Sequence, residues 1–182
     1  MAKVQNKVWC EVLASKHFNS VPMGETPCFE PAKLVGRALT VSYATITNDM
    51  KRQHIKLNFL IDNVADNKAM TNLIGYSMSP SYLKRLIKRS ADKIDESFTV
   101  TTKDNVVLRI KPSIYLRNKT KTSVLKALRN MLKDDLKKIA LENEYDNLVS
   151  SVLNYELQKS VKSDLKKVHP IASVEVRFFK KQ

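Results

Sequence analysis

The sequence predicts an α+β fold: a β-rich sheet or partly closed barrel with packed helices and a C-terminal strand that returns to the sheet. Three observations predict it. His54-Ile55-Lys56-Leu57-Asn58-Phe59, continuing to Ile61, alternates polar and apolar residues, the signature of a half-buried strand. Leu125, Leu128, Leu132, Leu136 and Ile139 repeat at three and four residues, which makes one apolar helix face. Beyond Pro170, Val174, Val176 and Phe178 alternate again, so the chain ends as a strand.

Taken in order, Val8–Leu13 is a weak alternating strand, and the polar stretch His17–Pro31, with three prolines and Gly24, reads as a long irregular loop. Leu39, Val41 and Tyr43 alternate after Gly36. The strand ending at Ile61 is followed by a turn over Asn63–Lys68 and a further strand, Ala69–Tyr76. With three glycines in the whole chain, Gly24, Gly36 and Gly75 are each expected to hold a backbone position that disfavours a side chain.

Ser79-Pro80 opens a short helix near 79–90: serine caps it, and proline takes the first position, where a missing N–H is no loss. Leu83, Leu86 and Ile87 form its apolar side, and Lys84, Arg85, Lys88 and Arg89 cover the rest. Ser97–Thr102 and Val106–Leu116 make a hairpin about Lys103-Asp104-Asn105, with Pro112 pointing to an edge position or a bulge. Helices follow over about Thr122–Leu141 and Tyr145–Val168, the second on Leu148, Val152, Val161, Leu165 and Val168 and stopped by Pro170. The chain is read as one domain over 1–182: β-rich over 1–117, a helical pair over about 119–168, and a final strand over about 172–180.

Composition narrows the function. The 182 residues carry 32 Lys+Arg against 18 Asp+Glu, a net charge of +14, and 43% hydrophobic residues, enough for a core. No run of consecutive apolar residues exceeds three, too short for a transmembrane helix, and Met1-Ala2-Lys3-Val4 starts no apolar leader. Cys10 and Cys28 alone suggest a reducing, cytoplasmic setting. The charge is concentrated: Ser79–Glu142 holds 16 basic and 7 acidic residues. Between Asp104 and Asp134 there is no acid, yet Arg109, Lys111, Arg117, Lys119, Lys121, Lys126, Arg129 and Lys133 fall there. A solvated face is the ordinary reading of a charge run. Here the stretch also has apolar periodicity, so it folds and fixes its cations in place. Fixed like charges repel, and a polyanion relieves them, which makes nucleic acid the expected partner. Lys51, Arg52 and Lys56 join Lys84, Arg85, Lys88 and Arg89 as further candidate RNA contacts.

Enzymatic signatures are sparse. No GxxxxGK, GxGxxG, HExxH or CxxC is present, and His17, His54 and His169 are scattered. Cys10 on a strand reads as core filling. Asp62 and Asp66 flank a turn, and adjacent helical Asp134 and Asp135 diverge around the axis, so neither pair reads as a metal site. No cofactor, metal or small-molecule substrate is expected. The alternative class is an RNA-processing or RNA-modifying enzyme whose Cys, His or acidic site follows none of these spacings.

Short pieces in order carry a resemblance: Lys7-Val8-Trp9 with Phe18 following, Met23-Gly24-Glu25-Thr26-Pro27, Leu34-Val35-Gly36-Arg37 and Arg52-Gln53-His54-Ile55-Lys56-Leu57. After them come Tyr82-Leu83-Lys84-Arg85-Leu86-Ile87-Lys88-Arg89, Val100-Thr101-Thr102-Lys103-Asp104, Lys121-Thr122-Ser123, and His169-Pro170 before Val174-Glu175-Val176-Arg177. In this order the chain resembles the S3Ae (eS1) family of small-subunit ribosomal proteins, in its short, archaeal-type form. It departs from the family at Ser15, where a proline is usual, at Asp104-Asn105 for Asp-Gly, and at Ile171-Ala172-Ser173, where arginines are usual. The resemblance implies a structural component of the cytoplasmic small subunit that binds rRNA on the platform near the mRNA exit, beside neighbouring platform proteins and away from any membrane.

Overall fold

The computed structural model describes residues 7–182, so the reading of Met1–Val4 lies outside the described residues. The residues group into two compact units, the first ending at Ser79 and the second spanning Pro80–Gln182.

In the first unit, five strands lie in the order β2 (Pro22–Cys28), β1 (Val8–Leu13), β5 (Lys68–Met78), β4 (Ile55–Ala65), β3 (Ala38–Ser42). All pairs are antiparallel except β1 with β5. The alternation in β4 has the expected result: Ile55, Leu57, Phe59 and Ile61 are fully buried. Their partners on β5 are Met78, Tyr76, Leu73 and Thr71, with a register shift between Asn58 and Phe59 that keeps both apolar sets on one face. The expected turn over Asn63–Lys68 is tighter than predicted. Strand pairing continues to Ala65, and the reversal uses Asp66 and Asn67, at φ 49° and 59°. Two successive left-handed residues match the twist of a tight hairpin, and short polar side chains tolerate them.

Two other expectations change. The loop predicted over His17–Pro31 contains β2, an edge strand on β1. Pro22, Gly24 and Pro27 hide it from pattern reading, and an edge is where a strand tolerates proline. Tyr43 does not continue a strand; β3 ends at Ser42, and Tyr43–Thr47 forms the short helix α1. This places Tyr43 and Phe59 edge-on to Phe18, at 6.2 and 5.9 Å between ring centres. Among the described residues the glycines at positive φ are Gly24 and Gly36, and Gly36 N–H donates to the Ile61 carbonyl at 2.9 Å. Gly75 instead stands within β5, opposite Asn58 at the shift. Cys10 and Cys28 are buried and reduced, their sulfurs 3.3 Å apart within a cluster of Val12, Leu34, Ile61 and Ala69.

The second unit is built on β8 (Val107–Leu116). On one side β7 (Phe98–Thr101) pairs with its first half and β6 (Lys93–Asp95) with its second, while β9 (Ile171–Lys181) runs along its other side. Pro112 does sit at a bulge, but β8 is flanked on both sides and is no edge strand. The bulge inserts Arg177 into β9, so the inward set passes from Val174 and Val176 to Phe179, and Phe178 is not the inward residue the sequence suggests. The strands of neither unit close into a barrel; the open sheet of the two expected forms is the one present.

Helix α3 (Thr122–Glu142) buries Leu128, Leu132, Leu136 and Ala140 against β7 and a later helix. The helix predicted over Tyr145–Val168 is two: α4 (Tyr145–Leu153) and α5 (Glu156–Leu165), broken where Tyr155 adopts φ 62°. Val168 falls beyond the break-off of α5 and is 43% exposed. Between β5 and β6, α2 (Pro80–Leu86) is short and contains no fully buried residue. Leu83 and Leu86 are half-buried, and Ile87, expected in its anchor, is 47% exposed beyond its end.

Candidate nucleic-acid interface

On the outer face of β8, Arg109 is exposed and lies directly across the ladder from Lys180 of β9. Cross-strand partners bring their Cβ atoms to about 4.5–5.5 Å, and like charges there destabilise the pair. The sequence reading missed Lys180 because it followed the basic run in β8 and not the strand that returns beside it.

The link from β8 to α3 is fixed by backbone bonds. Arg117 N–H donates to the Pro170 carbonyl at 3.3 Å, Leu116 N–H to the Asp92 carbonyl at 3.0 Å, and Thr120 N–H to Asp92 Oδ2 at 2.9 Å. Arg117, Lys119 and Lys121 are exposed on this held connector. Lys121 caps α3, whose first turn has no acidic residue. Unpaired N–H groups and the positive end of the helix dipole thus add to the lysine charge, a combination suited to phosphate. Lys126, one turn on, is exposed as well.

Three residues of the predicted run are placed otherwise. Lys111 is half-buried, its ammonium 4.8 Å from the centre of the Phe178 ring. Arg129 Nε and Lys133 Nζ lie 3.4 and 3.0 Å from the Glu96 carboxylate. The stretch that lacks acid in sequence has an acid folded against it. Arg109, Arg117, Lys119, Lys121 and Lys126 remain, exposed and without an ion-pair partner among the described residues.

Elsewhere in this unit Lys84 and Arg85 are exposed on α2, with the Arg85 guanidinium 5.8 Å from the Tyr82 ring centre; Lys88 and Arg89 follow its end, exposed. In the first unit Lys51 and Lys56 are exposed. Arg52 is half-buried, 3.4 Å from Asp49 and stacked 5.6 Å from the Tyr43 ring centre, so it supports the loop it stands on.

The second unit also holds a polar cluster. Burial alone would raise the Asp95 carboxyl, but Lys93 at 2.7 Å and the Ser113 hydroxyl at 2.6 Å hold it below the usual range. Burial, then Asp95, pushes the Tyr115 phenol up to about 12. Burial lifts Glu175 to about 7 against the pull of Lys162.

Residues 1–181 match the model of the Ribosomal S3Ae family. The chain belongs to this family. Among its relatives, the small ribosomal subunit protein eS1 of Desulfurococcus amylolyticus is 33% identical over 96% of this chain and 82% of its own length. That of Methanothrix thermoacetophila is 34% identical over 94% and 81%, and that of Nanoarchaeum equitans 29% identical over 96% and 88%. Membership of the S3Ae family makes this a ribosomal protein of the small subunit. In an S3Ae chain the exposed cations of β8, the connector and α3 are therefore the residues of first interest, and no catalytic constellation is needed to account for them.

Proposed function

We propose that the chain is a structural constituent of the small ribosomal subunit and binds its rRNA through the second unit's basic surface, on the platform near the mRNA exit beside neighbouring platform proteins. The observation that carries this reading is the set Arg109, Arg117, Lys119, Lys121 and Lys126 in an S3Ae-family chain: exposed cations on a strand, a pinned connector and a helix start. An A-form helix presents mainly phosphates and 2′-hydroxyls, which such a rigid positive surface reads without base contacts. Lys84, Arg85, Lys88 and Arg89 in the second unit, and separately Lys51 and Lys56 in the first, are further RNA contacts in this reading, whereas Arg52 and Lys111 serve the fold. Sedimentation of tagged protein through gradients tests the reading. Comigration with small subunits at low and moderate salt is expected; protein that stays at the top of a low-salt gradient overturns it.

A further inference from the structure

Between α5 and β9, within the second unit, lies a pocket of about 220 Å³ lined by Tyr155, Gln158, Lys159, Lys162, Ser173 and Glu175. Gln158 Oε1 and Glu175 Oε2 are buried without a hydrogen-bond partner, on residues 3% and 7% exposed. The large majority of buried side-chain acceptors in folded proteins are satisfied, and a donor-bearing occupant of the pocket would satisfy these two. Their positions are held. Gln158 Nε2 donates to the Val152 carbonyl at 3.0 Å, which leaves Oε1 as the open end of the amide. Lys162 Nζ donates to the Ala172 carbonyl at 2.5 Å, and Lys159 is exposed nearby. Tyr155 lines the pocket from a left-handed backbone conformation, φ 62°, that a bulky residue rarely adopts. Such strain in a pocket wall is of the kind kept for function.

Acceptors and ammonium groups on residues that line one pocket together select the occupant. A guanidinium from another protein would satisfy the acceptors but meet Lys159 and Lys162 as like charges. A nucleotide satisfies both, offering base N–H groups to the acceptors and phosphate to the lysines. Among the bases, guanine presents two adjacent donors on its Watson–Crick edge, N1–H and the N2 amino group, which match the two oxygens of a carboxylate; the other bases place an acceptor beside their donor. We infer that this pocket receives an unpaired guanosine of the bound RNA, read by Glu175 and Gln158 and flanked by Lys159, Lys162 and Tyr155. The inference rests on the RNA-binding reading above and adds to it a base-specific contact, of the kind proteins make with splayed-out single-stranded RNA.

The test is a titration of the purified chain with the four 5′-ribonucleoside monophosphates in low-salt, mildly alkaline buffer, followed by amide NMR. Guanosine monophosphate should bind at least about ten-fold tighter than the others, and Glu175→Gln, nearly isosteric, should abolish that preference. Lys159→Gln should weaken all four alike. Equal affinities, an unchanged preference in Glu175→Gln, or stronger shifts at these residues with an arginine amide overturn the inference. Binding of duplex RNA, measured in parallel, separates the two readings. Glu175→Gln should retain it, and wild-type protein that binds no duplex RNA would refute the ribosomal reading while the four-nucleotide comparison still decides the pocket.

Discussion

The Glu96 carboxylate lies 3.0 Å from the Lys133 ammonium and 3.4 Å from Arg129 Nε, joining the β6–β7 link to the middle of α3. The Glu96 side chain is 16% exposed, and its N–H donates to the Pro112 carbonyl at 3.2 Å, so the acid is set by the sheet before it meets the helix. One carboxylate between two cations leaves net positive charge but withdraws both from free contact with phosphate.

Glu96→Gln is therefore expected to have opposite effects on stability and binding. Loss of two partly screened ion pairs should destabilise the fold by about 1 kcal/mol, a drop of roughly 2–4 °C in melting temperature. RNA affinity should rise as Arg129 and Lys133 are released. Thermal melts and RNA titrations on the same preparation check both, and an unchanged melting temperature would show that Glu96 does not clamp α3.

Replacing Arg109, Arg117 and Lys121 together with glutamine removes three exposed cations that have no ion-pair partner among the described residues. The slope of log affinity against log salt should become shallower by roughly 2–3 if each neutralises one phosphate. Far-UV circular dichroism should stay unchanged. Arg109→Lys with Arg117→Lys keeps the charge and the slope but should weaken binding if either arginine grips a phosphate with two N–H groups. A slope that survives the glutamine variant would place the RNA on another face.

Glu175 makes stability depend on pH. Its carboxyl sits at about 7 in the fold, against an ordinary 4.5, through burial. Lys162 of α5 opposes this, and Tyr82 of α2 and Tyr115 of β8 are within electrostatic reach. Between those two values the native chain holds a proton that the unfolded chain has released. Stability should thus be highest on the acid side, fall by up to about 2–3 kcal/mol as pH rises through the window, and level off above it. Denaturant unfolding across that range checks the sign. Glu175→Gln should remove this descent and unfold at higher denaturant in alkaline buffer; a descent that persists would place its origin in another group.

Much of the candidate surface could be read in the sequence because charge is counted residue by residue. The acid-free run was visible at once, and so were the elements that bear it, β8 and α3. What could not be read was which cations are already engaged. Arg52 with Asp49, Lys111 over Phe178, and Arg129 and Lys133 on Glu96 are neighbours only in the folded chain, or with side chains turned to a particular side. Lys180 likewise gained its place opposite Arg109 through strand pairing.

The sequence by itself determined the period of each element. Ile55, Leu57, Phe59 and Ile61 must share a strand face, and Leu128, Leu132 and Leu136 a helix face, because side-chain direction follows from local backbone geometry. It also determined the hairpin about Asp104-Asn105, since Asn105 is a residue that accepts its φ of 58°. Only the tertiary structure decided register and interruption. The bulge that slips in Arg177 and turns Phe179 inward and the edge that admits the proline-bearing β2 answer to partner strands, and the left-handed Tyr155 divides a continuous helical pattern into α4 and α5. Local periodicity sets which faces exist, but the packing of those faces against one another selects where each strand shifts and each helix stops. That selection fixes which charges are left facing the solvent.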